Sequence, residues 1–354
     1  MAKQPLLISG QELDLTALTD FMQNDLRISL HSDVKNIVNK SREVITNILK
    51  SDHPVYGVNT GFGNFAEVRI KPQTVAELQQ RLVLSHAAGV GDPIPLPIVR
   101  MIMLLKIKSL SRGYSGCRFD VITLLTDMLN HDIIPLIPQK GSVGASGDLA
   151  PLAHMALVMI GRGKAFTPAN NGGDWTLQDG KEALASAGLN PIVLEAKEGL
   201  AILNGTQAMT AYGIYNLIKS YNLVKCADII GAMSLEALLG TLTPFDKRIH
   251  DLRKHSGQAE VAENIRRILK ESPIVLSHKF SDHKVQDAYS LRCIPQVHGA
   301  VRAALEYIKD VLIIEANGVT DNPLVFPESG EVLSGGNFHG APVAQVCDLF
   351  SGSV

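Results

Sequence analysis

Two long apolar stretches limit the folds open to this chain of 354 residues. Residues 199–218 contain no charged side chain, and residues 229–245 contain only Glu236. A helix that is apolar on nearly all sides lies either in lipid or inside a large bundle. Because polar or helix-weakening residues such as Asn204, Gln207 and Gly240 interrupt both stretches, we predict interior helices of a soluble bundle.

Helical periodicity also dominates the rest of the chain. Pro97 and Gly113 bracket one apolar segment as proline and glycine bracket a helix. Between residues 297 and 317, apolar residues return at spacings of three and four, which is typical of an amphipathic helix. The predicted helices cover residues 97–113, 120–130, 148–161, 200–221, 228–242 and 297–317.

Strand signals are confined to short pieces at residues 164–166 and around Val325. Residues 167–180 are rich in Gly, Asn and Asp, which predicts a surface loop. The predicted fold class is therefore mainly α, a long-helix bundle with a mixed, loop-rich N-terminal active-site region. We expect two parts: residues 1–198, with the reactive loop and a lid, and a helical bundle over residues 199–354.

Charge and cysteine usage narrow the function classes. The 33 basic and 35 acidic residues give a net charge of −2, so the overall charge does not favour binding to nucleic acid or to an anionic membrane. The four cysteines form no C-x-x-C pair, which argues against a zinc site or a disulfide framework. The first ten residues lack the apolar run of a signal peptide. We expect a cytoplasmic protein whose partner is a small molecule or another copy of itself, with no metal.

A glycine-rich loop at residues 141–148, with the sequence GSVGASGD, lies between a proline-containing turn and a predicted helix. Asp148 is a good N-cap for that helix. An anion cradle is one interpretation, but the loop has neither the Lys-Ser/Thr of a P-loop nor the G-x-G-x-x-G spacing. A serine-hydrolase elbow needs glycine two residues after the serine, where Asp148 stands.

Another chemistry uses all three residues Ala145, Ser146 and Gly147. Attack of the Gly147 amide nitrogen on the Ala145 carbonyl carbon closes a five-membered ring. Loss of two waters, one of them involving the Ser146 hydroxyl, then leaves an exocyclic methylidene on an imidazolone. Glycine suits the nucleophilic position because it has no side chain to hinder a strained approach. The product would be an electrophile that no ordinary side chain provides.

The wider sequence resembles the histidine, phenylalanine and tyrosine ammonia-lyases, which use such a methylidene-imidazolone. The resemblance covers about residues 56–343 and rests on motifs in the family's order. These motifs are YGVNTGFG at 56–63, SHAAG at 85–89, GSVGASGDLAPLAHM at 141–155, LNGTQ at 203–207, YSLRCIPQ at 289–296, TDNP at 320–323 and GGNFH at 335–339.

The resemblance implies a role for each matching residue. Tyr56 resembles the catalytic base, and Arg292 resembles the partner of the substrate carboxylate, which a guanidinium grips bidentately. Asn204 would hydrogen-bond near the electrophile and the substrate. The other implied roles are those of Phe338, packing beside the imidazolone; Asp148, assisting its formation; and Gln286 and Tyr289, lining the site from a neighbouring subunit of a homo-oligomer, a tetramer in the family.

His86 matches the position that sets substrate selectivity in the family. Histidine-using members place an imidazole there, phenylalanine-using members tend to have an apolar pair, and tyrosine-using members can also keep a histidine. The resemblance therefore implies deamination of L-histidine to trans-urocanate in histidine catabolism. A tyrosine or phenylalanine ammonia-lyase and an aminomutase with the same electrophile stay open as alternatives.

The chain departs from the family pattern near its C-terminus. Family members are longer than this chain, which ends at Val354. Alanine stands at position 341, around which the family often has an acidic residue. These departures predict a truncated bundle that lacks a carboxylate near the substrate, and they keep an inactive helical scaffold open as a further alternative.

Overall fold

The computed structural model describes residues 4–51, 54–61, 70, 74–169, 174–278 and 284–353. The chain divides into two compact units. Unit 1 comprises Met1–Gly213 and Leu312–Ala344, and unit 2 comprises Ile214–Val311 and Gln345–Val354. The division at residue 198 that the sequence suggests stays a prediction.

Unit 1 combines helices with four small sheets. Its helices are α1 (Leu15–Asn24), α2 (Ser32–Lys50), α3 (Val75–His86), α4 (Leu96–Ser111), α5 (Phe119–Asn130), α6 (Leu149–Met159), α7 (Gly180–Ser186), α8 (Glu198–Leu203) and the first residues of α9 (Gln207–Ala237). Its strands are β1 (Leu6–Ile8), β2 (Ile28–Leu30), β3 (Val90–Pro93), β4 (Ile134–Pro135), β5 (Pro138–Lys140), β6 (Lys164–Pro168), β7 (Trp175–Asp179), β8 (Leu324–Phe326) and β9 (Glu331–Leu333). Strands β1 and β2 pair in parallel, whereas the β3–β5, β4–β6–β7 and β8–β9 sheets are antiparallel.

Helix α4 is the central helix of unit 1, because every residue from Ile98 to Ser111 is buried. Its sequence is accordingly apolar around most of its circumference. The two buried lysines of α4 bond to main-chain carbonyls: Lys108 donates to the carbonyls of Ser9 and Gln11, and Lys106 donates to those of Ala201 and Asn204. These bonds replace the hydration that the ammonium groups lose on burial.

Unit 2 is helical throughout the residues that the structure describes. It contains most of α9 and of α14 (Ile294–Asn317), α10 (Lys247–Arg253), α11 (Ser256–Ile268), α12 (Pro273–Ser277), α13 (Tyr289–Arg292) and the later part of α15 (Ala341–Ser353). Apolar side chains from α9, α11 and α14 form one core cluster, which includes Leu235, Val261, Ile265 and Ile294.

The predicted fold class, mainly α with long helices, is confirmed. Three local predictions are wrong. The apolar stretch at 200–221 is not one helix, because the chain leaves α8 at Leu203 and begins α9 at Gln207. The separate helix predicted at 228–242 does not form, because α9 runs without a break from Gln207 to Ala237. The predicted surface loop at 167–180 contains strand β7, which pairs with β6 through five residue pairs; residues 170–173 of that loop lie outside the described part.

None of the helices in the described residues combines the length and the apolar character that crossing a membrane requires.

Candidate active site

A 3₁₀ turn at Gly144–Ser146 places the reactive tripeptide between β5 and α6. The turn is closed by a bond from the Gly147 amide to the Gly144 carbonyl (2.9 Å) and by a bond from the Val143 amide to the Gly147 carbonyl (3.1 Å). Gly147 has a φ of +105°, which favours glycine, and a Cβ there would lie 3.2 Å from the Phe338 carbonyl oxygen. This backbone conformation therefore depends on glycine at position 147.

Main-chain bonds from two distant segments hold the turn. The amide of Gly340 donates to the Ala145 carbonyl oxygen at 2.7 Å, and the amide of Asp148 donates to the Gly205 carbonyl at 3.1 Å. The Ser146 side chain faces the cavity described below. The three residues thus fit the cyclisation inferred from the sequence: the attacked carbonyl is already hydrogen-bonded, the nucleophilic position carries no side chain, and the hydroxyl that must leave faces open space.

The Asp148 carboxylate lies beneath the turn and is fully buried. Asp148 does precede α6, but its side chain does not cap that helix. It accepts instead from the Ser142 hydroxyl (2.6 Å) and from the Met209 amide (2.9 Å) in the first turn of α9. Burial raises the pKa of Asp148, and the bonds from Ser142 and Met209 act in the opposite direction. The carboxylate therefore joins the reactive turn to the N-terminus of α9.

A cavity of about 400 Å³ opens in front of the turn. This volume is within the usual range of small-molecule sites. Much of its wall is apolar, and the polar groups are few. The lining residues are Tyr56, Leu82, His86, Ser146, Gly147, Asp148, Leu149, Leu200, Leu203, Asn204, Gly205, Asn322 and Phe338.

The structure thus brings together most of the residues that the sequence motifs single out. Seven of them line the cavity itself, and Ala145 adjoins it through the peptide bond to Ser146. The seven are Tyr56, His86, Ser146, Gly147, Asp148, Asn204 and Phe338. The Tyr56 motif continues to Gly63, but Phe62 and Gly63 lie outside the described residues.

His86 is the last residue of α3, and its ring orientation is set locally. Its Nδ1 lies 2.9 Å from the Leu82 carbonyl oxygen and 3.1 Å from the Ser85 hydroxyl. A carbonyl oxygen only accepts hydrogen bonds, so Nδ1 carries the proton in that contact, and Nε2 of the neutral ring is an acceptor. His86 itself lines the cavity.

Asn204 lies in the break between α8 and α9, not on a helix as the sequence suggested. Its side-chain amide donates to the Asn322 carbonyl (2.6 Å) and to Asp321 (3.2 Å). Asp321 in turn pairs with Lys197 at 2.7 Å, with both side chains almost completely buried. Lys106, whose ammonium group bonds to the Asn204 carbonyl, has its pKa lowered by burial to about 8. A buried charge network therefore orients Asn204.

Three predicted site residues belong to unit 2. Gln286 and Arg292 line a separate cavity of about 840 Å³ within that unit. The Arg292 guanidinium lies 5.6 Å from the centre of the Tyr289 ring and donates to the Asp287 carbonyl (2.9 Å). Tyr289 is 75% exposed.

Sequence reasoning missed several residues that shape the site. Asn322 lines the cavity, and its only sequence signal is the TDNP motif at 320–323. Lys106 supports Asn204 from behind, but a lysine in an apolar helix pattern gives no indication of its partner. Gly340 directly follows the GGNFH motif, and only its contact with Ala145 shows its relevance.

No cluster of three or more His, Cys, Asp or Glu side chains suited to a metal ion occurs in the ranges that the structure describes.

Comparison with known proteins gives a consistent result. The profile of the aromatic amino acid lyase family matches residues 13–354. The histidine ammonia-lyase of Myxococcus xanthus is 48% identical over 349 residues, which are 99% of this chain and 67% of that protein. The enzyme of the same name from Alkaliphilus oremlandii is 46% identical over 344 residues, which are 97% of this chain and 66% of that protein.

Comparison with solved structures finds relatives in the same family of lyases and aminomutases. Phenylalanine aminomutase from Pantoea agglomerans superposes with a TM-score of 0.89 at 34% identity, covering 98% of this chain and 69% of that one. Histidine ammonia-lyase from Trypanosoma cruzi gives a TM-score of 0.87 at 35% identity, covering 99% and 64%. The chain therefore spans about two thirds of the length of these relatives.

Proposed function

We propose that this chain, which belongs to the aromatic amino acid lyase family, removes ammonia from L-histidine without oxidation and releases trans-urocanate. The observation that supports this choice of substrate is His86, an imidazole that lines an otherwise largely apolar cavity. The relatives named histidine ammonia-lyase, at 44–48% identity, support the same choice.

The electrophile of the reaction is a 4-methylidene-imidazol-5-one made from Ala145, Ser146 and Gly147. The Gly147 nitrogen bonds to the Ala145 carbonyl carbon, and that oxygen leaves as water with the amide hydrogens of Ser146 and Gly147. Ser146 then loses its α-hydrogen and its hydroxyl as a second water. Once formed, the group supplies an electron-poor methylidene beside the substrate. Burial of Asp148 and the φ of Gly147 support this assignment, because both hold the turn in one conformation.

The remaining residues bind the substrate and move its proton. Tyr56 lines the cavity and is the base for the weakly acidic β-hydrogen. Nε2 of His86 accepts the N–H of the substrate imidazole. Phe338 packs beside the reactive ring. The two side-chain N–H groups of Asn204 donate to Asp321 and Asn322, so its side-chain oxygen is left to accept a hydrogen bond from a group in the cavity.

A neighbouring subunit completes the site in this proposal. Gln286 and Tyr289 line the cavity of another copy in a homotetramer, and Arg292 binds the substrate carboxylate. Exposed apolar side chains on α9, including Ile230 (60%) and Met233 (62%), support burial between subunits.

The free thiols of Cys117, Cys226 and Cys293 support a cytoplasmic location, where thiols are kept reduced.

A second candidate is an aminomutase, which returns the ammonia to the β-carbon. The structural similarity to phenylalanine and tyrosine aminomutases, at 34% and 33% identity, favours keeping it. An aminomutase would release a β-amino acid, whereas a lyase releases only the unsaturated acid and ammonia.

Two measurements test the proposed function. The intact mass of the folded chain should be two waters below the value from the sequence, and the deficit should map to the peptide that contains Ser146. L-Histidine should give urocanate absorbance, while L-tyrosine and L-phenylalanine should give little coumarate or cinnamate. A full-mass chain would reject the electrophile, and a β-amino acid product would favour the aminomutase.

Substitution of the acceptor at position 86 tests the substrate directly. His86→Leu leaves the substrate N–H without a partner in the cavity, at a cost of about 1–3 kcal/mol. We therefore expect kcat/KM for L-histidine to fall by about 5- to 150-fold, with a smaller change for L-phenylalanine.

His86→Gln is the matched control, because its amide oxygen still accepts a hydrogen bond and should retain more activity on L-histidine. Equal losses on both substrates in His86→Leu would contradict the assigned role.

A further inference from the structure

The main-chain amide of Gly340 is the only hydrogen-bond donor that the described structure places on the Ala145 carbonyl oxygen, at 2.7 Å. This oxygen is the one that must accept negative charge when the Gly147 nitrogen attacks. Donors already aimed at an oxygen on which charge develops stabilise the transition state more than donors that must reorient. We propose that the Gly340 N–H is an oxyanion donor for cyclisation of the Ala145–Ser146–Gly147 loop, an inference that rests on the proposed function.

The position of this amide is fixed by the start of α15. The Gly340 carbonyl accepts from the Ala344 amide at 2.9 Å, so Gly340 is the N-cap residue of α15. The unpaired amides at a helix N-terminus carry partial positive charge, which adds to the attraction for a developing oxyanion. The donor therefore needs no reorganisation when the carbonyl is attacked.

Position 340 lies close to side chains of the first turn of α9. A Cβ on Gly340 would lie 2.5 Å from the Met209 sulfur and 3.1 Å from Cγ2 of Thr206. The Met209 amide is the group that donates to Asp148. The first turn of α9 and the start of α15 thus meet at Gly340. This contact positions both the Met209 amide that donates to Asp148 and the Gly340 amide that donates to the Ala145 carbonyl.

The bond changes in this step balance without any further reagent. The Gly147 nitrogen bonds to the Ala145 carbon, and the carbonyl π electrons move to oxygen. Gly340 keeps its own hydrogen and only stabilises that charge. The oxygen then leaves as water with the hydrogens from the Ser146 and Gly147 nitrogens. Gly340 is therefore needed to make the electrophile and takes no part in later turnover.

Cell-free synthesis with an ester at position 340 tests this role. Gly340→glycolic acid replaces the N–H with oxygen and adds no side chain, and Ala341→lactic acid is the matched ester one residue later. We expect the deficit of two waters to appear about 10²-fold more slowly in the first chain, the size of effect seen when one oxyanion donor is removed. The second chain should mature at the parent rate, with intact mass followed over time.

Two encoded variants give an independent comparison. Gly340→Ala keeps the N–H, and the flexible end of Met209 can move aside, so maturation should proceed at the parent rate. Gly340→Pro lacks the N–H and should mature slowly. If the proline chain fails to show native circular dichroism, the ester chain alone decides.

A folded glycolic acid chain that matures at the parent rate overturns the role of Gly340. A parent chain that never loses water overturns the proposed function itself, so the two failures are distinguishable. Once the group has formed, the ester chain should turn over L-histidine at the parent kcat.

Discussion

A Ser146→Ala chain should keep its full mass and lose turnover by about 10³-fold or more, as enzymes do when a covalently acting residue is removed. Alanine has no β-hydroxyl to leave, so no methylidene can form. The Ser146 side chain is exposed, and its removal should leave the fold unchanged. Intact mass and urocanate absorbance measure the two effects on one preparation.

Ser142→Ala is the matched control in the same loop. The Ser142 hydroxyl bonds to Asp148 at 2.6 Å but contributes no atom to the ring. The Ser142→Ala chain should therefore still reach a deficit of two waters, although more slowly if Asp148 loses its orientation. Turnover by Ser146→Ala at the parent rate would show that the reaction does not use this electrophile.

Four of the predicted helices correspond to α4, α5, α6 and α14, because apolar periodicity reports burial directly, whereas α1, α2 and α3 were not predicted. Helix α4 begins at Leu96 and ends at Ser111, close to the predicted bounds of 97 and 113. Helix α5 ends at Asn130 as predicted. These segments are buried along most of their length, so the hydrophobic pattern alone determines them.

The break between α8 and α9 was not predictable from local pattern. Apolar residues lie on both sides of the polar run at 204–207, and the form of the break depends on contacts with residues more than a hundred positions away. Gly205 has a φ of +133°, and a Cβ there would clash with Gln207 and with the Thr320 hydroxyl. The Gln207 side chain bonds to that hydroxyl at 2.8 Å. A tertiary contact therefore overrides the helical pattern.

Seven of the residues that line the cavity were singled out from the sequence motifs, but the groups that support them were not. Family motifs identify Tyr56, His86 and the reactive tripeptide, since each motif carries its own chemistry. They do not reveal that Asp148 caps α9 rather than α6, because both helices begin near it. The Gly340 contact with Ala145 likewise joins positions separated by 195 residues in the sequence, and no local pattern encodes it.

The buried charges behind the cavity form one connected support. Lys197 pairs with Asp321, Asp321 accepts from Asn204, and the Asn204 carbonyl accepts from Lys106. Each side chain in this network pairs with the charge or the hydrogen-bonding group of another. Removal of one side chain therefore leaves a buried charge or polar group without a partner. The network therefore holds Asn204 in one orientation.

Asp321→Asn should lower the free energy of unfolding by about 3–5 kcal/mol, the usual cost of leaving one partner of a buried ion pair unpaired. The Lys197 side chain is 0% and that of Asp321 2% exposed, and asparagine preserves the shape while removing the charge. The loss is a large part of the about 5–15 kcal/mol that stabilises a typical protein. Urea denaturation followed by circular dichroism measures it.

Two comparisons separate charge from shape. Lys197→Met combined with Asp321→Asn removes both charges and should regain most of the loss, because replacement of a whole buried pair is often nearly neutral. Asp251→Asn breaks the exposed pair with Lys247, whose side chains are 52% and 73% exposed, and should change stability by at most about 1 kcal/mol. If Asp321→Asn costs no more than Asp251→Asn, the Lys197–Asp321 pair does not support the site. A double variant as unstable as the single one would instead assign the loss to the asparagine side chain and its bond to Asn204.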